Sequence, residues 1–510
     1  MGKDSAMAAA RPPEPLRDLD WSPERADEFL ERARELWMRF LRTLPSLPVG
    51  RSWQPGEVAD AVAIAVPSEP MPDDELFEHL RSVMFDHSVY PGHPRFMGYI
   101  TGAGTVPGAV ADLLAAQLNQ NLGGWRHSPA ATEIELHVTR WFASLFGLPA
   151  SAGGMITSGG AMANFTCLKV ARDRKAGWDV RTHGLAGGQR LVLYASSEVH
   201  AVVSRAADML GLGMEAVRPV PVDHRFRMRP DALRAVLEAD RLSGLRGIAV
   251  VATAGTTATG AIDPLPEIAA IAAEYGLWFH VDAAYGGAAA LSSELRPLLE
   301  GIERADSIAF DPHKWLSTPH SGGCALLRDL SHAYESFHHG ASYTVEDRER
   351  TGSTFDFGSH GPQWSRGFSA LKIWVSLLAY GTEAYGRRIS HDAELARYLG
   401  ALVDERPELE LVTPVSLSIC CFRYVPDEPG LDDGYVDRLN ERIMTAVQVG
   451  GRSYLSNAIL HGRFALPACI VNFRTEASDV VALLDDVVDV GRRVHQEMGP
   501  APRVPEEAHG

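Results

Sequence analysis

The sequence predicts an α/β fold built on a mostly parallel sheet, and three observations predict it. Short apolar runs at 190–195, 248–253, 277–282, 307–310 and 323–327 read as strands. They alternate with helical patterns at 161–175, 199–210, 230–240 and 264–275, the pattern of a parallel sheet with helices on both faces. The residues able to do chemistry fall in loops just after these strands, or at a helix start, and in such sheets ligands lie at the carboxyl ends of the strands. Finally, 510 residues exceed one ordinary core, so further layers or domains flank the sheet.

The flanking segments follow from local signals. Residues 1–20 read as a disordered leader and 21–105 as a helical N-terminal segment. Ser22-Pro23-Glu24-Arg25 opens its first helix with an N-cap and a proline in the first turn. Its apolar positions are Phe29, Leu30, Leu36, Trp37, Phe40 and Leu41, and a second helix is expected over 73–84. A Gly- and aromatic-rich stretch over 93–108, containing Tyr99 and Ile100, is either a cleft-lining loop or an ordinary connection. Residues 106–385 form the expected large domain. It begins with helices at 109–121 and 129–146, the second with Ser128 as N-cap, Pro129 behind it and acidic Glu133 and Glu135 near its start. A helix over 368–380 closes it. Residues 386–498 are expected as an α+β domain with helices at 393–402 and 478–497 and strands at 417–424 and 465–473. Residues 499–510 read as a disordered tail.

Composition excludes several functions. With 48 basic and 65 acidic residues the formal charge is −17, which argues against nucleic-acid backbones and anionic membranes as partners. Five scattered cysteines, Cys167, Cys324, Cys420, Cys421 and Cys469, have neither zinc-ligand spacing nor an even count. No metal is expected, and a reducing, cytoplasmic setting fits best. No apolar run approaches membrane-spanning length, and the N-terminus lacks the apolar core of a signal peptide.

The chemistry centres on Asp311-Pro312-His313-Lys314-Trp315, between two short strands. A desolvated lysine loses its proton more readily than a surface one, and a neutral amine can form a Schiff base with a carbonyl cofactor. Upstream, Thr157-Ser158-Gly159-Gly160-Ala161-Met162-Ala163-Asn164 places glycines at a helix start. This is either a phosphate cradle or a plain strand-to-helix turn. His200, after strand 190–195, could stack on an aromatic ring or be structural. The hydroxyl-rich Thr253-Ala254-Gly255-Thr256-Thr257 could contact a ring substituent or cap a turn. Asp282, in His280-Val281-Asp282-Ala283-Ala284-Tyr285, follows Leu277-Trp278-Phe279 and is expected to be buried. A buried carboxylate needs a partner, such as a protonated ring nitrogen, an arginine or a helix cap. Taken together in this order, these are the parts needed to hold pyridoxal phosphate.

These segments resemble the group II pyridoxal-phosphate-dependent decarboxylases, the aromatic-L-amino-acid decarboxylase type. The matching motifs are the Lys314 and Asp282 segments, the Gly255-Thr256-Thr257 loop, Ser158 to Asn164 and Ser128-Pro129-Ala130-Ala131-Thr132-Glu133. The resemblance runs from about 28 to 495. It implies pyridoxal-phosphate fold type I, like aspartate aminotransferase, and a homodimer with active sites at the subunit interface. It also implies roles: Lys314 for covalent attachment of the cofactor, Asp282 at its ring nitrogen and His200 stacked on the ring. Thr257 and Ala284 would contact the cofactor, and Gly160, Ala161, Met162, Asp311 and His313 would surround its phosphate. Tyr99, Ile100 and Trp125 are candidate walls of the substrate pocket.

The sequence departs from the family pattern at three points. Asp311 stands where animal relatives have Asn, although bacterial relatives also use Asp. Ala161 and Met162 replace a phosphate-binding hydroxyl residue. Within the family's mobile loop, expected here over 345–364, Phe357 occupies the position of a tyrosine thought to protonate the substrate carbon. A phenyl ring cannot donate a proton, whereas His360 could. The implied activity is decarboxylation of an aromatic L-amino acid (tryptophan, phenylalanine or tyrosine type) to the amine. The alternative is an oxygen-dependent aldehyde synthase, since Tyr-to-Phe is associated with that outcome in plant relatives. An aminotransferase is disfavoured by the lack of an obvious Arg clamp, and a non-catalytic role by an intact Lys314, Asp282 and His200.

Overall fold

The computed structural model describes residues 18–339 and 354–499. Residues 1–17 of the expected leader, 345–353 of the expected loop and 500–510 of the expected tail lie outside the described residues. The chain divides into two compact units: one comprises the segment up to Leu47 with Arg51–Val89, the other Pro48–Gly50 with the chain from Tyr90 onward.

The first unit is helical: α1 (Pro23–Thr43), α2 (Pro55–Val62) and α3 (Asp73–Leu80), the last continuing as a π turn over Arg81–Phe85. Ser22 caps α1, its hydroxyl accepting the Arg25 N–H at 3.2 Å. The Arg25 guanidinium grips Asp73 through two bonds of 2.7 Å, and Phe29 packs on Phe77, so α1 and α3 are joined by a bidentate pair and an aromatic contact. α2 was not anticipated, because its eight residues carry too little apolar periodicity.

In the second unit, α4 (Val106–Leu118) and α5 (Pro129–Leu145) precede the sheet. α4 starts three residues earlier than expected, capped by the Thr105 hydroxyl, and stops where Asn119 turns left-handed. Ser128 precedes α5 but does not cap it. Its hydroxyl donates to the Gly124 carbonyl at 2.7 Å instead. Nor does Glu135 serve the helix start: it is fully buried against Arg366 and the Ile156 N–H.

The main sheet has seven strands: β1 (Gly153–Thr157), β2 (Leu191–Ser196), β3 (Val217–Val220), β4 (Arg246–Thr253), β5 (Trp278–Asp282), β6 (Ser307–Phe310) and β7 (Gly323–Leu327). Their order is β1-β7-β6-β5-β4-β2-β3, with β3, β2, β4, β5 and β6 parallel and β7 antiparallel to both its neighbours. Alternation at period two feeds two cores. Val192, Tyr194, Val250, Ala252, Ile308 and Phe310 face one, while Leu193, Ala195, Val251, Ala309 and Leu327 face the other. β3 was missed because Pro219 and Arg218 break its apolar run; as an edge strand it tolerates both.

Helices cover the sheet: α6 (Gly160–Lys175), the short α7 (Val180–His183), α8 (Val202–Met209), α9 (Pro230–Leu242), α10 (Leu265–Glu274) and α11 (Ser331–Phe337). The long α12 (Ala370–Asp404) joins the two helices expected over 368–380 and 393–402, broken only at Gly381 (φ 72°, ψ 159°), a conformation open essentially to glycine. Beyond it β8 (Leu409–Leu411), β9 (Ile419–Tyr424), α13 (Asp433–Gly450), β10 (Ala458–Leu460), β11 (Arg463–Cys469) and α14 (Ala477–Met498) form a four-stranded antiparallel sheet with helices. Its own core gathers Leu399, Phe422, Leu439, Ile443, Leu466 and Leu484. No helix among the described residues is long and apolar enough to cross a membrane.

Candidate active site

The carboxyl ends of β4, β5 and β6 open onto a cleft of about 340 Å³, large enough for a small ligand. A larger recess of about 500 Å³ elsewhere is lined by Arg227 and Asp263, but these are already occupied. Arg227 pairs with Asp223, and Asp263 accepts the Met228 and Thr253 N–H groups.

Lys314 lies in the loop from β6 to β7, as expected, and lines the cleft. Its Nζ is 3.2 Å from Asp311 Oδ2, so the lysine sits against a carboxylate rather than in an apolar pocket. Asp311 is 2% exposed, its Oδ1 has no partner, and burial pushes its carboxyl up to about 6 against the pull of Lys314. The same side chain abuts the start of α6: a Cβ on Gly160 would lie 2.6 Å from Asp311 Oδ2, which is why glycine stands there.

Gly160 and Ala161 occupy the first turn of α6 and line the cleft. First-turn N–H groups have no carbonyl of their own helix to meet. The Met162 N–H, in contrast, donates to the Gly159 carbonyl at 3.0 Å, so it is already engaged. Met162 is also absent from the cleft lining.

His313 lines the cleft with its ring 4.4 Å from that of His320. Its Nδ1 meets the Gly322 carbonyl. The Gly322 N–H is 3.3 Å from the same nitrogen, but a carbonyl can only accept, so the shorter contact makes Nδ1 the donor. Burial lowers this imidazole to about 4. The neutral ring therefore presents the Nε2 lone pair, and it must gain a proton before Nε2 can donate to a phosphate.

His200 and Thr257 are exposed in the cleft. The His200 Nδ1 accepts the Val202 N–H at 3.2 Å, and desolvation by the surrounding cleft lowers its pKa, which leaves a neutral imidazole with its proton on Nε2. Ala284 is buried at the cleft floor, and Tyr285 stacks on Trp315 at 5.0 Å, bracing the Lys314 loop.

Asp282 is 5% exposed. Its Oδ1 accepts the Ala284 N–H at 3.1 Å and its Oδ2 an N–H of Asn164 at 3.3 Å. No cation among the described residues lies within ion-pair distance of it, so of the three partners expected from sequence the arginine is absent. Sequence reasoning gave no role to Asn164, His280, Ser307 or His320. The first two stood inside motifs already singled out; nothing local distinguished the others.

The remaining candidates are not brought to this cleft. Tyr99 is 58% exposed at a positive φ of 56°. Ile100 is buried in the core, and Trp125 is bonded through Nε1 to Glu133 and through its N–H to Asp356. None of the three lines the cleft of its own chain. Phe357 is 1% exposed, packed in the sheet core with the Arg366 guanidinium 4.4 Å from its ring centroid. His360 stacks on Phe355 at 3.9 Å and its Nδ1 donates to the Asp356 carbonyl at 2.8 Å. Neither belongs to this chain's cleft.

Comparison with known proteins agrees with this arrangement. The family model of the pyridoxal-dependent decarboxylase conserved domain matches residues 55–425. An aromatic-L-amino-acid decarboxylase of Bacillus atrophaeus is 31% identical, covering 92% of this chain and 95% of that protein. A phenylacetaldehyde synthase of a Rosa hybrid cultivar is 28% identical over 88% of this chain and 90% of its own. A crystal structure of Oryza sativa TDC with PLP and tryptamine superposes with a TM-score of 0.87 at 27% identity, covering 93% of this chain and 99% of that one.

The residues present fit pyridoxal phosphate. A lysine amine faces the cleft, Asp282 lacks a cation, and two buried oxygens lining the same space, Asp311 Oδ1 and Thr253 Oγ1, have no partner. The first-turn Gly160 and Ala161 stand beside them at the start of α6. The chain belongs to the pyridoxal-dependent decarboxylase family and is a fold-type-I, pyridoxal-phosphate-dependent amino-acid decarboxylase.

Proposed function

We propose that the substrate is an aromatic L-amino acid and the product its amine. One observation carries the choice: among the described residues lining the cleft there is no arginine, and its one lysine is paired with Asp311. A side-chain carboxylate would find no guanidinium there, whereas a neutral ring needs none. The similarity to an aromatic-L-amino-acid decarboxylase supports the same reading.

In this reading Lys314 would hold the cofactor covalently through its Nζ. Asp282 holds a proton on the ring nitrogen, and His200 offers a flat neutral ring to stack on. Gly160 and Ala161 direct N–H groups at the phosphate, with Asp311 and His313 beside it and Thr257 and Ala284 at the ring edge. The bound cofactor supplies the electron sink that stabilises the carbanion left when carbon dioxide departs. His360 returns a proton to that carbon, acting in the partner's cleft.

The last step rests on a homodimer, which we propose from the unpartnered side of α4. Val106, Val110, Leu113, Leu114 and Leu118 lie on one helix face and are 40–59% exposed, an apolar stripe of the kind that marks an interface. Exposed Tyr99, held at a strained φ, belongs to the same set of unassigned surface residues. A cytoplasmic location is proposed on the five buried free cysteines.

A second reading, the aldehyde synthase, is favoured by the similarity to a phenylacetaldehyde synthase, while Phe357, buried in the core, does not reach this cleft. Product analysis separates the two. Purified enzyme with pyridoxal phosphate and a panel of L-amino acids in air is expected to give amine equal to carbon dioxide, greatest with an aromatic substrate. Aldehyde with peroxide would establish the alternative, and turnover confined to acidic amino acids would overturn the substrate assignment.

A further inference from the structure

Behind Asp282 runs a hydrogen-bond chain that the chemistry above does not use. Trp278 Nε1 is 2.7 Å from Ser307 Oγ, which is 2.8 Å from His280 Nδ1. His280 Nε2 is 2.8 Å from Asn164 Oδ1, and Asn164 Nδ2 is within reach of both the Gly160 carbonyl, at 2.9 Å, and Asp282 Oδ2. Ser307, His280 and Asn164 are fully buried.

The donor and acceptor inventory assigns the protons along this chain, with the Ser307 carbonyl, 3.2 Å from His280 Nδ1, as a longer competing contact at that nitrogen. The Gly160 carbonyl and the Asp282 carboxylate only accept, so Asn164 presents its amide N–H groups to them and its Oδ1 to His280. His280 Nε2 must therefore carry a proton. Burial lowers the ring to about 4, so it is neutral and Nδ1 accepts from the Ser307 hydroxyl. The Ser307 oxygen in turn accepts the Trp278 indole N–H. The run ends on Asp282 Oδ2 with an N–H donor, which fixes the orientation of the carboxylate. The same amide holds the Gly160 carbonyl, so one side chain links Asp282 to the first turn of α6.

We infer that Asn164, His280 and Ser307 are positioning residues: they lock Asp282 in one orientation against the ring nitrogen of the cofactor, and couple it to the phosphate side of the cleft. This rests on the assignment of Asp282 to that nitrogen. The titratable groups around the carboxylate are His280 and Cys167 behind it, with His200 and Asp311 across the cleft and Lys314 beyond. A variant in the relay changes none of these but His280.

The test measures cofactor dissociation constant, by fluorescence titration, and the pH at which the visible band of the bound cofactor titrates. Full-length Asn164→Leu, His280→Leu, His280→Gln, Ser307→Ala and Asp282→Asn are compared. His280→Leu and Asn164→Leu are expected to weaken binding roughly tenfold, the scale of supporting bonds at other sites. They should also move the titration in the same direction as Asp282→Asn. His280→Gln keeps an N–H for Asn164 Oδ1 and should restore most of both. Wild-type binding and titration in the two Leu variants, with Asp282→Asn altered, would overturn the relay while leaving Asp282 in place. An unaltered Asp282→Asn would remove the assignment beneath it. Should the Leu variants not fold, Ser307→Ala decides: it leaves the Ser307 carbonyl, 3.2 Å away, as the partner of Nδ1 and so draws the proton from Nε2 to Nδ1, and an unchanged titration there would overturn the relay as well.

Discussion

The back and the front of the cleft are built on different terms. At the back, Asp282, Asn164 and His280 are buried, supplied by β5 and α6 of one chain, and every proton between them has an assigned place. At the front, Tyr99 is exposed, Trp125 is bonded away from the cleft, and Phe357 and His360 pack elsewhere. The residues proposed to hold the cofactor thus meet in one cleft, whereas those proposed for substrate contact do not line it. The lesson is that a rigid sheet edge can carry the buried chemistry, while the residues proposed for substrate contact lie on segments away from it.

The contrast is broken most severely at Lys314. Lys314→Ala should abolish covalent cofactor attachment and lower kcat/KM about a thousandfold or more; steady-state kinetics and the visible spectrum report it. Asp282→Asn should lower kcat by about a hundredfold, as loss of one preorganised electrostatic partner does. Comparable activity in either variant would mean that the back of the cleft is not where the cofactor sits.

The front is tested by complementation. If Tyr99 serves the partner's cleft, mixed dimers of Lys314→Ala and Tyr99→Ala regain one native site each. About a quarter of wild-type activity should return when equal amounts are refolded together. No recovery would place both residues in the same cleft.

A smaller effect concerns Asp311. Its carboxyl is pushed up to about 6 by burial, above the ordinary range near 4. The neutral acid therefore dominates below about 6 and the carboxylate above it. A phosphate beside it is bound more weakly as pH rises through that value. Asp311→Asn should tighten cofactor binding severalfold at pH 8, leave it unchanged at pH 5, and so flatten the difference across pH 6. Equilibrium dialysis at both pH values measures this.

Stability offers a further check on the wall between the two regions. Arg366 and Glu135 are a buried pair, with Phe357 against the guanidinium. Arg366→Ala strands the Glu135 carboxylate and should cost about 3–5 kcal/mol in denaturant unfolding, lowering stability without changing the substrate panel.

What could be read from sequence followed the same division. The strands at the back announced themselves as apolar runs, and Lys314, Asp282 and His200 stood directly after them, so local order along the chain placed them in one cleft. α13, β8 and β10 gave no such signal: two are three-residue strands, and their cores close only through partners distant in sequence. Glu135 looked like a helix-start acid because nothing nearby reveals Arg366, 231 residues on. Tyr99, in a stretch that reads as either a cleft-lining loop or a plain connection, and Trp125 are candidate pocket walls that a single chain does not bring to the cleft. Asn164 and His280 stood in plain view inside two motifs, yet their roles depend on a contact across 116 residues of sequence.

The most direct measurement is to reduce the holoenzyme with borohydride, digest it and locate the phosphopyridoxyl group by peptide mass analysis. The account predicts one modified residue, Lys314, at close to one group per chain. Modification of another lysine, or none at all in a protein that retains decarboxylase activity, would contradict it.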